Sequence, residues 1–238
     1  MFSYSSRAFW EIHSLVYGVK VSAQVHKDLQ EDIVRELRIR PGQRLLDAGI
    51  GTGALELALL RCNLSDVLVT GVDFSVGMLR KAKSALQDSF LGLVLVKADL
   101  DAPLPFPNDS FDRVASCNTL YALRNQSGFL KELHRVLRPS GRLVLATPHE
   151  KFAGIEVMRY GHKKARGFWQ HSKALGETVL CLLLVLPFEF FISLRQRRGE
   201  YRCLDEQSLQ TLLAEFDFSS IRVGSSFAGQ NLLVTAVK

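Results

Sequence analysis

Residues Leu45–Gly53 read LLDAGIGTG, and this stretch decides the fold. Two aliphatic residues and an aspartate lead into three glycines on alternate positions. The aliphatic residues predict a buried strand, and the glycines allow the backbone after that strand to pass very close to a ligand. The stretch therefore predicts a binding site at the end of a strand, for a pyrophosphate or for some other group.

The segments around this loop alternate between predicted strands and predicted helices. The predicted strands are RLLDAG (44–49), DVLVTGVD (66–73), LGLVLVKAD (91–99), FDRVASCN (111–118), RLVLATP (142–148), SSIRVG (219–224) and NLLVTAVK (231–238). The first five alternate with helices, which predicts right-handed βαβ units and a parallel sheet. The spacing of the last two predicts an antiparallel pair. The fold class is therefore α/β.

Charge and cysteine spacing narrow the classes of function. The net charge is +6, and residues 151–202 hold ten Lys or Arg against four Asp or Glu, so the whole excess lies in this segment. A uniformly basic nucleic-acid binder would not show this pattern, and we expect no nucleic-acid partner. The four cysteines form no CxxC pair, which predicts reduced thiols, no metal site and a cytoplasmic location.

The glycine loop fits two kinds of cofactor. Gly49, Gly51 and Ala54 satisfy the dinucleotide fingerprint G-x-G-x-x-G/A, and Asp73, twenty residues after Gly53, is placed to hold a ribose diol. A nicotinamide or flavin dinucleotide is therefore one interpretation. The fingerprint alone is a weak signal, because it specifies only the turn.

Three acidic residues favour a cationic cofactor instead. Asp47, Asp73 and Asp99 end the first three predicted strands, so they meet at the carboxyl edge of the sheet, where such folds bind ligands. A carboxylate at Asp47 opposes a pyrophosphate and favours a cation. S-adenosylmethionine carries a sulfonium, an ammonium, a ribose diol and an adenine amine, but no phosphate. We therefore expect S-adenosylmethionine as the cofactor.

The sequence resembles the class I S-adenosylmethionine-dependent methyltransferases, and among them the small-molecule enzymes of the ubiquinone/menaquinone-biosynthesis type (methyltransferase type 11). The matching stretches are LLDAGIGTG, GVDFSVGML, KADLDAPLPFPNDSFDRVASCNTLYAL and ELHRVLRPSGRLVLATP, which cover most of residues 43–148. The resemblance implies a Rossmann-like, doubly wound, mostly parallel seven-stranded sheet with an antiparallel C-terminal strand and a helical cap insertion. One departure is Pro139-Ser140-Gly141, where the family usually has Pro-Gly-Gly; that turn is structural.

The resemblance also implies a division of the chain. Residues 1–42 would form an N-terminal helical lid. Residues 43–149 and 203–238 would form the cofactor-binding domain, and residues 150–202 a helical cap over the substrate.

By the same resemblance, individual residues would hold parts of the cofactor. Gly49, Gly51 and Gly53 would line the methionine and ribose portions, with Asp47 near the amino-acid end and Asn118 near the sulfonium. The residues that would surround the ribose and the adenine are Asp73, Phe74, Met78, Asp99 and Leu100. In this set the two carboxylates would accept the ribose hydroxyls and the adenine amine, respectively, and the methionine fits simple core packing equally well. In the N-terminal region, Tyr17 would close over the cofactor.

Methyl transfer needs an aligned nucleophile, exclusion of water and, for some acceptors, a base. The candidate bases are His149, directly after the fifth strand, and Tyr121, after the fourth, where relatives often carry histidine. A solvated loop histidine and a packed tyrosine are the simpler interpretations. Cys117 has no identifiable basic partner and is interpreted as packing.

Residues 150–202 should select the substrate. Their longest apolar run, Val179–Phe188, is ten residues long, which is too short to span a bilayer, and basic residues follow it. This combination predicts an apolar pocket for a small hydrophobic or aromatic molecule, with peripheral membrane contact through residues 178–202 left open. A core helix with a solvated basic flank is the simpler interpretation. The oligomeric state is also left open.

The function expected from the sequence is therefore methyl transfer from S-adenosylmethionine to a small, hydrophobic natural product, quinone or lipid-like molecule. The main alternative is a methyltransferase fold that uses the bound cofactor for non-methylating catalysis, such as a cyclisation. An NAD-dependent oxidoreductase and an RNA methyltransferase rank below it.

Overall fold

The structure is a computed structural model of the 238-residue chain. It describes residue 11 and residues 24–87, 89–90, 92–150, 159–160, 190 and 194–238. Within these ranges the chain forms one sheet with helices packed on both of its faces.

Seven strands make up the sheet in the described part of the chain. They are β1 (Arg44–Ala48), β2 (Leu68–Asp73), β3 (Gly92–Lys97), β4 (Phe111–Cys117), β5 (Leu137–Pro148), β6 (Ser219–Ser226) and β7 (Asn231–Val237). They lie in the order β3-β2-β1-β4-β5-β7-β6. All pairs are parallel except those of β7, which runs antiparallel to β5 and to β6. The expected seven-stranded, mostly parallel α/β sheet is confirmed, whereas the helical cap stays a prediction. The switch of strand order lies between β1 and β4, where such sheets open a binding crevice.

Five helices and a short 3-10 turn precede or connect these strands within the described ranges. They are α1 (Gln24–Leu37), α2 (Ala54–Arg61), α3 (Val76–Leu86), the 3-10 turn (Leu120–Ala122), α4 (Gln126–Val136) and α5 (Glu206–Glu215). Ser75, Asn125 and Asp205 cap α3, α4 and α5, because the side-chain oxygen of each accepts a hydrogen bond from the backbone N–H three residues later. Each cap stabilises its helix by about 1 kcal/mol.

Apolar side chains fill a core on each face of the sheet. Residues from α1, α2 and the strands bury one face: Leu29, Ile33, Leu37, Leu45 and Leu59. Residues from α4 and α5 bury the other: Phe129, Leu130, Leu133, Leu209 and Leu213. Burial of each such side chain contributes about 1.5–3 kcal/mol. Helix α1 falls within the predicted region 1–42, and it packs into the core; the division of the chain into three regions stays a prediction.

Strand β5 begins earlier than the sequence pattern indicates. The stretch GFLKELHRVLRPSG (128–141) predicts a helix that Pro139 and Gly141 stop, but α4 ends at Val136 and Leu137 already pairs with Phe111 in β4. Ser140, at φ +62°, donates its backbone N–H to the Lys238 carbonyl at 2.9 Å. Pairing with strands that are distant in sequence therefore ends the helix and converts the predicted turn into a part of the strand.

The chain leaves the sheet after Pro148 and returns to it beside the 3-10 turn. Pro148 pairs with Asn231 in β7. On the return, the Arg202 backbone N–H donates to the Tyr121 carbonyl at 3.0 Å, and Gln126 Nε2 donates to the Arg202 carbonyl at 2.8 Å. Both ends of the segment between them are therefore attached to the sheet and its loops. In the described part of the chain, the structure contains no helix of the length and apolarity needed to cross a membrane.

Candidate cofactor site

A cleft opens at the carboxyl edge of the sheet, where β1, β2 and β4 end. The space between its walls, counted out to the open mouth, is about 620 Å³. The described residues that line it are Gly49, Gly51, Asp73, Phe74, Ser75, Met78, Leu100, Cys117, Asn118, Thr119, Ala122 and Leu123. The switch of strand order between β1 and β4 therefore carries a cleft of the expected kind.

The glycine loop forms one wall of this cleft with backbone atoms. Gly49, Gly51 and Gly53 have φ values of +102°, +55° and +82°, a region that favours glycine. A Cβ atom on Gly49 would lie 2.1 Å from Thr119 Oγ1, so only glycine fits there. The Gly49 N–H donates to the Val72 carbonyl at 2.8 Å, which ties the loop to β2. Gly53 is the N-cap of α2 and is not among the residues that line the cleft.

Asp73 is held in the cleft by two backbone donors. Its Oδ2 accepts a hydrogen bond from the Gly51 N–H at 3.0 Å, and its Oδ1 accepts one from the Ser75 N–H at 2.9 Å. Burial raises the pKa of Asp73 to about 6, against the lowering effect of these two hydrogen bonds, and the neighbouring Glu11 raises it further. The carboxylate is therefore oriented and ionised at neutral pH, as an acceptor for hydroxyl groups must be.

Asp47 lies at the end of β1, two residues before Gly49, and is only 2% exposed. Burial raises its pKa to about 7, and Asp73 also raises it. Beside Asp47 lies Glu56, in the first turn of α2, which is fully buried and has its pKa raised by burial first and by Asp47 second. Sequence reasoning missed Glu56. The available signal was an acidic residue inside the apolar run ALELALL.

The side of the cleft predicted for adenine is apolar. Phe74 and Met78, from the start of α3, and Leu100, after β3, all line it. Asp99 precedes Leu100 and is not among the lining residues; its Oδ1 accepts a hydrogen bond from the Asp101 N–H at 3.1 Å. The structure therefore brings three of these four predicted residues to the cleft surface, and binding of the adenine amine by Asp99 stays a prediction.

Asn118 lines the opposite side of the cleft, after β4. It has φ +52°, and its Oδ1 accepts a hydrogen bond from Asn231 Nδ2 at 2.7 Å. Asn231 is only 1% exposed, and its Oδ1 has no hydrogen-bond partner within the described residues. Because β7 is antiparallel, its first residue lies at the carboxyl edge of the sheet. Sequence reasoning missed this residue, whose signal was an asparagine that opens an otherwise apolar strand.

Comparison with protein families agrees with this geometry. The family model of a methyltransferase domain matches residues 46–145, which contain the glycine loop, Asp73 and Asn118. A ubiquinone/menaquinone biosynthesis C-methyltransferase of Geotalea daltonii is 33% identical over 113 residues, covering 47% of this chain and 48% of the relative. A demethylmenaquinone methyltransferase of Geobacillus kaustophilus is 32% identical over 141 residues, covering 59% and 60%. The chain spans about half the length of these curated relatives. The resemblance inferred from the sequence is confirmed.

Two solved structures share the fold of this chain well beyond residues 46–145. The CurJ carbon methyltransferase is 17% identical with a TM-score of 0.64, covering 94% of this chain and 58% of that chain. The 4+2 cyclase SpnF is 17% identical with a TM-score of 0.62, covering 90% and 81%. At these identities the likeness establishes the fold alone.

The two candidate bases, Tyr121 and His149, are not among the described residues that line the cleft. Tyr121 is 6% exposed and packs edge-to-face on Tyr201, with 5.9 Å between ring centroids. His149 is half-buried, and its backbone N–H donates to the Gln230 carbonyl at 3.3 Å. The packing of Tyr121 fits its simpler interpretation. A catalytic role for either residue stays a prediction.

Cys117 lines the cleft and directly precedes Asn118. Its Sγ accepts a hydrogen bond from Gln30 Nε2 at 3.4 Å. Burial raises the pKa of the Cys117 thiol to about 12. Because the thiolate is the nucleophilic form, this cysteine stays inert at neutral pH, which agrees with its interpretation as packing.

Several predicted features fall outside the described residues or only partly inside them. Tyr17 and most of residues 150–202 lie outside. Arg195 is among the described residues; it is 5% exposed and forms an ion pair with Glu200, which is typical of a structural role. Membrane contact through residues 178–202 stays a prediction. Across the described ranges, no group of three or more His, Cys, Asp or Glu side chains is arranged to hold a metal ion.

Proposed function

We propose that the protein is an S-adenosylmethionine-dependent methyltransferase whose acceptor is a small hydrophobic molecule of the quinone, natural-product or lipid-like class. The observation that carries the proposal is Asp73, an ionised acceptor fixed by two backbone donors on the wall of the glycine-loop cleft. The match of residues 46–145 to a methyltransferase domain supports the reaction type. The names of the two quinone-pathway relatives support the acceptor class.

The residues of the cleft fit each part of this cofactor. Asp73 would accept hydrogen bonds from the ribose hydroxyls, and an ionised Asp47 would attract the ammonium group through the glycine loop. Phe74, Met78 and Leu100 offer apolar surface to the adenine ring. Gly49 leaves no side chain between backbone and ligand. When bound, the cofactor supplies an activated methyl group on a sulfonium.

Alignment, rather than proton transfer, is the catalytic contribution that the described residues support. Among the described lining residues, the titratable side chains are Asp73 and Cys117. Asp73 is engaged by two backbone donors, and the Cys117 thiol keeps its proton. The Asn118–Asn231 hydrogen bond fixes the polar side of the cleft, where an acceptor would have to be aligned. Orientation and exclusion of water can supply a large part of such a rate enhancement.

Calorimetric titration with S-adenosylmethionine, run in parallel with NADH, tests the cofactor. We expect binding of S-adenosylmethionine alone, and a loss of at least about 30-fold in affinity in Asp73→Asn, because a charge-assisted hydrogen bond contributes about 2 kcal/mol. Asp66→Asn, which changes an exposed aspartate far from the cleft, is the matched control. Binding of NADH alone would overturn the proposal.

A second experiment tests the reaction. The protein is incubated with S-adenosylmethionine and a panel of reduced quinones, prenylated phenols and apolar amines. Methyl transfer requires S-adenosylhomocysteine to appear in equal amount with a methylated product. Conversion of an acceptor without S-adenosylhomocysteine would instead identify non-methylating catalysis, such as a cyclisation.

A further inference from the structure

Two buried carboxyl groups, one on β1 and one on α2, interact with each other. Asp47, from β1, is 2% exposed, and Glu56, from α2, is fully buried. Asp47 Oδ1 and both Glu56 oxygens have no hydrogen-bond donor within the described part of the chain. Two ionised carboxylates in such a place would repel each other and would both lack solvation. The arrangement is therefore stable only if one of the two carboxyls holds a proton.

The surroundings contain acceptors but few donors. On the α1 side, Gln30 is 6% exposed; its Nε2 donates to Cys117 Sγ, and its Oε1 has no partner within the described ranges. Cys117 is close enough to Asp47 for that carboxylate to raise the pKa of the thiol. Four buried acceptor atoms of Gln30, Asp47 and Glu56 therefore lack a hydrogen-bond donor within the described residues. A proton held by one of the two carboxyls would supply a donor within the pair.

The proton belongs on Glu56. Glu56 is the more buried of the two, and its pKa is raised well above the ordinary value by burial and then by Asp47. A hydrogen bond from Glu56 acts in the opposite direction on Asp47 and lowers its pKa. The other titratable groups that face the pair are Asp73 on β2 and Cys117 on β4, and Asp73 in turn faces Glu11.

We propose that Glu56 is a positioning residue for the cofactor: it keeps its proton and donates a hydrogen bond to Asp47, which fixes one negative charge under the loop for the cofactor's ammonium group. The inference rests on the proposed function for the identity of the cation. The position of the proton is a property of the protein alone. No covalent step is involved.

Infrared spectroscopy at pH 8 tests the position of the proton without any cofactor. We expect a protonated-carboxyl C=O band in the wild type. The band is assigned to Glu56, because pH 8 lies above the pKa values of Asp73 and Asp47. The band should disappear in Glu56→Gln and persist in Asp47→Asn. Glu132→Gln, which removes a half-buried carboxylate paired with Arg135, should leave the band unchanged. Persistence of the band in Glu56→Gln, or its loss in Asp47→Asn, would overturn the proposal.

Cofactor titration across pH 5.5–8.5 tests the consequence for binding. Glu56→Gln retains a donor for Asp47, so its Kd for S-adenosylmethionine should stay within about threefold of the wild type. Glu56→Leu removes the donor, which should weaken binding at pH 7 by about tenfold and move the pH midpoint of the affinity upward. Loss of more than tenfold in Glu56→Gln, or a wild-type profile in Glu56→Leu, would contradict the role. If Glu56→Leu does not fold, the glutamine variant and the infrared bands decide. If the wild type binds no S-adenosylmethionine, the proposed function fails while the infrared result stands.

Discussion

The cleft has two halves that differ in how their residues are brought together. The half formed by the ends of β1, β2 and β3 is built from short sequence segments, each a strand with the loop that follows it. The half formed by the ends of β4, β5 and β7 depends on contacts such as Asn118 with Asn231, 113 residues apart. The first half, called the cofactor half, holds the residues predicted to bind the ribose and the adenine. The second, called the acceptor half, holds Asn118, which is predicted to lie near the sulfonium, where an acceptor would meet the methyl group. A motif can specify the first half, whereas only the folded chain assembles the second.

The largest effect should come from Gly49→Ala in the cofactor half. The new Cβ would lie 2.1 Å from Thr119 Oγ1, and the alanine would also have to adopt φ +102°. Such strain costs about 1–3 kcal/mol before the clash is added, so we expect cofactor affinity to fall by more than about 100-fold. Gly42→Ala is the control, since Gly42 has φ +76° but open space around its Cα. Equal losses in both variants would show that backbone strain, and not the contact with Thr119, closes the cleft.

The cofactor half should also make the stability of the free protein depend on pH. The folded-state pKa values of Asp73 and Asp47 are raised to about 6 and about 7. Their contribution to stability is therefore complete below about pH 4, the ordinary carboxyl value, and is lost as the pH rises through 6 and 7. We expect Tm to fall between pH 4 and pH 7, by calorimetry, and Asp73→Asn to flatten the lower part of that fall. A Tm that rises steadily over this range would contradict the burial of these carboxyls.

In the acceptor half, Asn231→Leu should separate binding from turnover. The change removes the donor to Asn118 Oδ1, and a buried polar atom left without its partner costs about 1–3 kcal/mol. We expect kcat/KM to fall by about tenfold while Kd for S-adenosylmethionine changes by less than about threefold. Thr235→Val on the same strand is the control, because Thr235 is buried and its Oγ1 has no partner within the described residues. A parallel loss of cofactor affinity in Asn231→Leu would mean that the two halves are not separable.

The smallest effect should come from Tyr121→Phe. The ring packs on Tyr201 and lies off the cleft surface, so removal of its hydroxyl should change kcat by less than about twofold. A general base in this position would instead be worth about 100-fold or more. Steady-state kinetics with the acceptor found in the panel experiment distinguishes these outcomes. A 100-fold loss would restore Tyr121 as the catalytic base.

The same contrast explains what could be predicted from the sequence. Alternating strands and helices, and the loop after β1, are local patterns, so the sheet and the position of Asp73 follow from them. The start of β5 at Leu137 was missed because it depends on pairing with Phe111. The burial of Tyr121 depends on Tyr201, eighty residues later. Glu56 was missed because both faces of ALELALL are apolar, which hides the residue that faces Asp47.

Residues 148 and 202 are both attached to the sheet and its loops, which affects the conformational entropy of the segment between them. The intervening segment is a closed loop in the topological sense, because pairing with β7 fixes its start and hydrogen bonds to Tyr121 and Gln126 fix its end. For a flexible loop, doubling the length adds only about 0.6 kcal/mol of closure free energy. A segment of different length can therefore be exchanged here at low cost in closure entropy. We therefore expect this position to accept insertions and deletions while the glycine-loop cleft stays intact.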